Sequence, residues 1–78
     1  MDAARFDHLL TKAREAKLCG ASAWRAQSSG EKVAVAFALN RADWLGEIGY
    51  TLAQAIERVD RDWLALIPRV ERALADEG

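Results

Sequence analysis

"VAVAFALN", Val33–Asn40, is the stretch on which the fold turns. Read with a period of two, it puts Val33, Val35, Phe37 and Leu39 on one side and alanines on the other, as a half-buried strand would. Read with the helical period, Val33 and Phe37 join Trp44 and Ile48 within about sixty degrees of one another. Alanine decides between the two, because it is a poor strand former and the best helix former. The stretch is therefore expected to be helical. Asn40 lies on the same apolar stripe, and burying its amide without partners would cost a few kcal/mol. A break or bend is expected there, with Asn40 capping a new helix that starts at Arg41.

Outward from this stretch, two short punctuators divide the chain. They are "SSG" (Ser28–Gly30) and "GYT" (Gly49–Thr51), both made of turn-compatible residues. The stretches between them are rich in alanine, leucine, glutamate and arginine, all helix formers. The expected fold is all-α, a small bundle of three helical segments at 3–27, 31–48 and 52–76, open to division into four or five shorter helices. Ser28 with Glu31 and Thr51 with Gln54 have the spacing of capping boxes, and Gly49 suits the left-handed close of the helix before it. Asp2 is the expected cap of the first segment. Phe6, Leu10 and Ala13 line one face of that segment, with Leu9 beside them. Gly20 either ends this helix or stays inside it; the interior reading is favoured, since Trp24 returns to the face of Phe6 after about five helical turns. In the third segment Ile56, Val59, Trp63, Ile67, Val70 and Leu74 alternate in steps of three and four. Pro68 is expected to kink that helix without ending it.

The hexad "DWLGEI" at Asp43–Ile48 recurs as "DWLALI" at Asp62–Ile67. On a helix, Trp and Ile four apart stack on one face and Leu widens the stripe. The leading aspartate sits where negative charge favours a helix start, close behind Asn40 or Asp60 as caps. The flanking residues do not match, so the repeat is read as one packing solution used twice.

Seventy-eight residues make a single helical domain, 1–78, near the lower size limit for an independent core. Half of the chain is hydrophobic, but much of that is alanine, so bulk rests on three tryptophans and few other large residues. A thin core gains by sharing with a second subunit. Cys19 is the sole cysteine and His8 the sole histidine, which leaves no internal disulfide and no metal-ligand spacing. His8 is expected on an exposed helical face and Cys19 at a core or boundary position. No phosphate-loop frame is present, and Glu57–Arg61 and Arg58–Asp62 have the spacing of ordinary surface pairs. No catalytic, cofactor or metal residues are therefore assigned, and no small-molecule substrate is predicted. No apolar run is long enough to cross a membrane. The N-terminus carries no targeting pattern, and a lone thiol suits a cytoplasmic setting.

The expected function is protein–protein contact, as a homodimer or as a subunit of a larger complex. Trp24, Trp44 and Trp63 are the candidate anchors, and Trp24 is the one expected to be exposed. The alternative is DNA binding. A helix-turn-helix across 42–59 would read bases through Gln54 and Arg58, with Lys12, Arg14, Lys17, Arg25 and Lys32 on phosphates. A strand at 33–39 followed by two helices would instead give the order of a ribbon-helix-helix dimer. Nucleic acid is not favoured, because net charge is −1. Residues 1–41 carry seven Lys/Arg against four Asp/Glu, and residues 42–78 carry four against eight. That asymmetry is read first as a solvated surface, with the orienting of one subunit on another as the alternative.

Overall fold

Helix breaks set the architecture. The computed structural model describes residues 3–77, and all regular structure among them is helical: α1 (Ala3–Cys19), α2 (Ala21–Arg25), α3 (Ser29–Ala38), α4 (Ala42–Glu47), α5 (Leu52–Arg58) and α6 (Arg61–Glu77). The all-α expectation holds. The three expected segments are six helices, because each contains at least one break. The expected cap Asp2 lies outside the described residues.

Val33–Ala38 is helix, so the ribbon-helix-helix alternative with its strand at 33–39 is overturned. α3 is the central element. Val33, Ala34, Val35, Ala36 and Ala38 are all buried, so it is apolar almost all round. That is why its sequence matched both periods: a helix covered on every side has no polar face to set the phase. α1, α3 and α6 pack on one another, α2 rests on α1 and α3, and α4 and α5 lie against α3 and against each other. The core joins Leu9, Ala13 and Ala16 of α1 to Trp24 of α2, Trp44 and Leu45 of α4, and Leu66, Val70 and Leu74 of α6. The radius of gyration is 11.3 Å, against about 11.5 Å for a compact chain of this length. The α4–α5 hairpin therefore folds back on the body.

Each break has a local cause. Gly20 has φ 81° and ψ −162°, a region open in practice only to glycine. Its amide closes α1 on the Ala16 carbonyl at 2.8 Å, and its own carbonyl receives the Trp24 amide. The interior-glycine reading is thus corrected: Gly20 ends one helix and starts the next. Asn40 does break the chain, but not as a cap for a helix at Arg41. It is the left-handed residue after α3 (φ 57°), with Asn40 N–H on the Phe37 carbonyl and Arg41 N–H on the Ala36 carbonyl. Arg41 is the cap of α4. Gly49 closes α4 in the same way, with Gly49 and Tyr50 amides on the Gly46 and Leu45 carbonyls. Both are Schellman closures, in which a left-handed residue lets two amides satisfy carbonyls that a helix end would orphan.

Both expected capping boxes are present, opening α3 at Ser28–Glu31 and α5 at Thr51–Gln54. The expected helix over 52–76 divides at Val59, which is extended (ψ 135°). Asp60 then accepts the Asp62 amide at 2.8 Å and opens α6. α6 continues through Pro68 as expected. The division puts Glu57 and Arg61, and Arg58 and Asp62, on different helices, so neither expected pair shares one helix. Arg58 donates to Ser29 Oγ, and Asp62 pairs with Arg5.

Replacing Gly20 by alanine is expected to cost about 1–3 kcal/mol, the strain of an L-residue in that region. Asn40→Gly, where the left-handed residue loses only its Cβ penalty, is expected to be neutral or slightly stabilising. Urea unfolding midpoints of the two variants should move accordingly; equal midpoints for wild type and Gly20→Ala contradict the strained-hinge account.

Candidate functional site

Trp24 lies at the centre of the core, and its expected exposure is overturned: the side chain is 0% exposed. The turn at Gly20 carries α2 back over α1 and α3, so the indole points inward. Its Nε1–H donates to the Lys32 carbonyl at 2.8 Å. Its ring stacks on Trp44 with centroids 4.8 Å apart and an interplanar angle of 24°. Trp44 is buried too, with the Arg41 guanidinium 4.4 Å over its ring. Trp24 and Trp44 are therefore spent on intramolecular packing. Trp63 is only partly buried, and His8 stacks on it at 5.9 Å.

The two hexads do not share an environment. In the first copy Trp44 and Leu45 are both buried. In the second, Trp63 is partly covered, Leu64 is exposed, and Leu66 takes the inward position. The repeat is one start signal for two helices, with different faces turned to the core.

The basic residues proposed as phosphate contacts are held within the chain. Arg14 makes two hydrogen bonds to Glu77 (3.1 and 2.6 Å), and Arg25 makes two to Glu47 (both 2.8 Å). Lys17 donates to the Leu74 carbonyl, Lys12 lies 3.9 Å from Glu15, and Lys32 approaches the Trp24 ring. The charge asymmetry is thus spent internally. Arg5–Asp62, Arg14–Glu77 and Arg25–Glu47 each join a cation of the first half to an acid of the second. The α4–α5 pair does form a helical hairpin. Of its two base-reading candidates, Gln54 reaches back to the Thr51 amide and Arg58 is on Ser29.

His8 is exposed as expected, yet engaged: its Nε2 lies 2.6 Å from Glu31 Oε2. Burial pushes the Glu31 carboxyl up. The Ser28 amide, the His8 ring, the Ser28 hydroxyl and Lys12 outweigh it and leave the group below the usual glutamate range. Cys19 is exposed at the end of α1, not at the core boundary expected of it. Among the described residues no three His, Cys, Asp or Glu side chains gather as metal ligands would, and no helix is long and apolar enough to cross a membrane. A shallow cleft of about 220 Å³ is lined by Ala16, Lys17, Gly20, Leu39, Arg41 and Trp44. Its two cations are already on Leu74 and Asp43.

Of the exposed large apolar residues, Leu18 lies on α1, Leu64 on α6, and two lie on α5. α5 turns Ala55 inward at 0% exposure and holds Leu52 and Ile56 outward at 57% and 49%. One turn apart, these two form an aliphatic pair on one side of the helix. Ile56 was expected on the buried stripe; the break at Val59 resets the phase of the helix and turns it out. Leu52 was not singled out from sequence. The available signal was its place just inside a capping box, on a helix too short to bury more than one edge. No family model matches the chain, and no curated protein or solved structure matches it either.

Glu31, Glu47, Glu77 and Asp43 are all held below their ordinary carboxylate values. The folded chain therefore keeps them ionised at pH values where the unfolded chain protonates them. Their contribution is complete above the ordinary carboxylate range and is lost as pH falls through it. Urea midpoints should fall steadily from about pH 5 downward. Glu31→Gln keeps the capping-box hydrogen bonds without the charge, and should flatten that decline; an unchanged pH profile contradicts the assignment.

Proposed function

We propose that this is a small non-enzymatic protein that acts by protein–protein contact, first of all with a second copy of itself. The observation that carries this reading is the inverted burial of α5, with alanine inward and leucine and isoleucine outward. A helix of a self-sufficient monomer buries its large aliphatic residues and leaves the small one at the edge. A two-fold contact is self-complementary, and would set Leu52 of one copy against Ile56 of the other. Two aliphatic side chains per copy fall well short of the roughly 800 Å² per partner of a standard interface. Association is accordingly weak, and governed by concentration or by further partners in a larger complex.

The exposed, unpaired Cys19 accords with a reducing, cytoplasmic setting. The DNA-binding alternative draws no support from the paired arginines. Phosphate contact at Arg14 or Arg25 would first have to displace Glu77 or Glu47.

Sedimentation from about 10 µM to about 1 mM should show mass rising from monomer toward dimer, as expected of a small apolar contact. Ile56→Asp should weaken association at least about tenfold by burying an unpaired charge, with helical content unchanged. The control Leu18→Asp, at the most exposed large apolar residue (77%), should leave association intact. Monomer mass at every concentration overturns self-association. A dimer indifferent to Ile56→Asp overturns the α5 surface alone.

A further inference from the structure

We propose that residues 40–60, the α4–α5 hairpin with its two hinges, open as a unit from a body of α1, α2, α3 and α6 that stays folded. The topology carries the inference. α3 and α6 flank the hairpin in sequence, and they pack directly on one another and on α1. The hairpin can therefore leave as a loop whose two ends remain fixed. In most chains this small, removing a central segment would separate the elements on either side, and unfolding would be all-or-none.

The hinges are already built. Asn40 stands in the left-handed region with φ 57°, and Val59 is extended between two helices. Four buried hydrophobic residues hold the hairpin: Trp44, Leu45, Ala55 and Val59. Its side-chain ties to the body, Glu47 to Arg25 and Arg58 to Ser29, are exposed. The body has deeper ties of its own. Trp24 to the Lys32 carbonyl, Gln27 to the Lys12 carbonyl and Lys17 to the Leu74 carbonyl are all partly buried and involve no hairpin residue. α4 and α5 have six and seven residues, too short to persist as helices once detached. Opening removes Trp44 from the Trp24 ring and uncovers the side of α3 beneath. It gives the molecule an apolar surface that exists only in the opened form. The inference is argued from the topology and not from self-association through α5, which would favour the closed form.

Native-state hydrogen exchange in low urea tests it, with Val70→Ala as the decisive variant. Val70 is fully buried in α6, and α6 packs on α1 and α3. In the wild type, the slowest α4 and α5 amides should exchange at least about tenfold faster than the slowest of α1, α3 and α6, with a weaker urea dependence. Val70→Ala destabilises the body, which is folded in both the closed and the opened forms. It should speed the body amides and leave the hairpin amides unchanged. Leu45→Ala, in the hairpin, should speed both sets. Equal acceleration of hairpin and body by Val70→Ala overturns the proposal. So does a common urea dependence in the wild type, which decides the matter even if the variant fails to fold.

Discussion

The Trp24 indole is the contact on which the rest of this structure depends. It belongs to a five-residue helix that could not persist in isolation. It is fully buried, bonds through Nε1–H to the first turn of α3, and stacks on Trp44 at the start of α4. One side chain thereby fixes three helices relative to one another. An indole buries on the order of 150–250 Å², a large share of the bulky apolar area in a core otherwise built from Trp44 and from alanine, valine and leucine. The hydrogen bond sets its orientation as well, because a buried N–H without an acceptor would cost more than the bond returns. A phenylalanine could fill part of the space but could not hold α2 against α3 in one rotation.

That arrangement is reachable only because the chain turns sharply between short helices. Gly20, Asn40 and Gly49 supply the positive-φ residues, and Ser28, Thr51 and Asp60 supply the side chains that accept amides at the next start. Each stop lies close to a new start, so few backbone groups are orphaned between helices. The ion pairs are a thinner layer over this frame. Exposed pairs contribute little to stability. By joining the cationic first half to the acidic second half they do favour one docking of α1 on α6, and of α2 on α4, over others.

Much of this frame was legible in the sequence, and the rest failed for identifiable reasons. The helical class followed from alanine even where Val33–Leu39 alternated. Ser28–Glu31, Thr51–Gln54 and Gly49 could be read directly because capping chemistry is local. Gly20 could not, since an interior glycine and a glycine hinge look alike until the tertiary position of Trp24 is known. The break at Val59 was legible in part: Asp60 was recognised as a cap, yet a residue that caps a new helix cannot also be the interior of an old one. Following the apolar stripe through it put Ile56 in the core. The α5 surface is illegible for the same reason, because a seven-residue helix is too short for periodicity to reveal which edge is covered. The burial of Trp24 is illegible for a related reason. Irregular sequence around a residue says that the chain turns there, and nothing about which way the side chain then points.

The alanine content connects the core to the surface. Ala13 and Ala16 of α1, Ala34, Ala36 and Ala38 of α3 and Ala55 of α5 are all buried. Small side chains on facing helices let the backbones approach closely, and dense packing then replaces bulk as the source of cohesion. α3 presents alanine on more than one side, so what packs on it must come near. α5 meets that condition by turning in its alanine. Leu52 and Ile56 are displaced to the outer side, since one short helix cannot present both a small and a large edge to the same neighbour. Packing the interior in this way leaves an aliphatic pair that the single chain does not cover. Enlarging Ala55 to force that pair inward would push α5 away from α3, not rotate it.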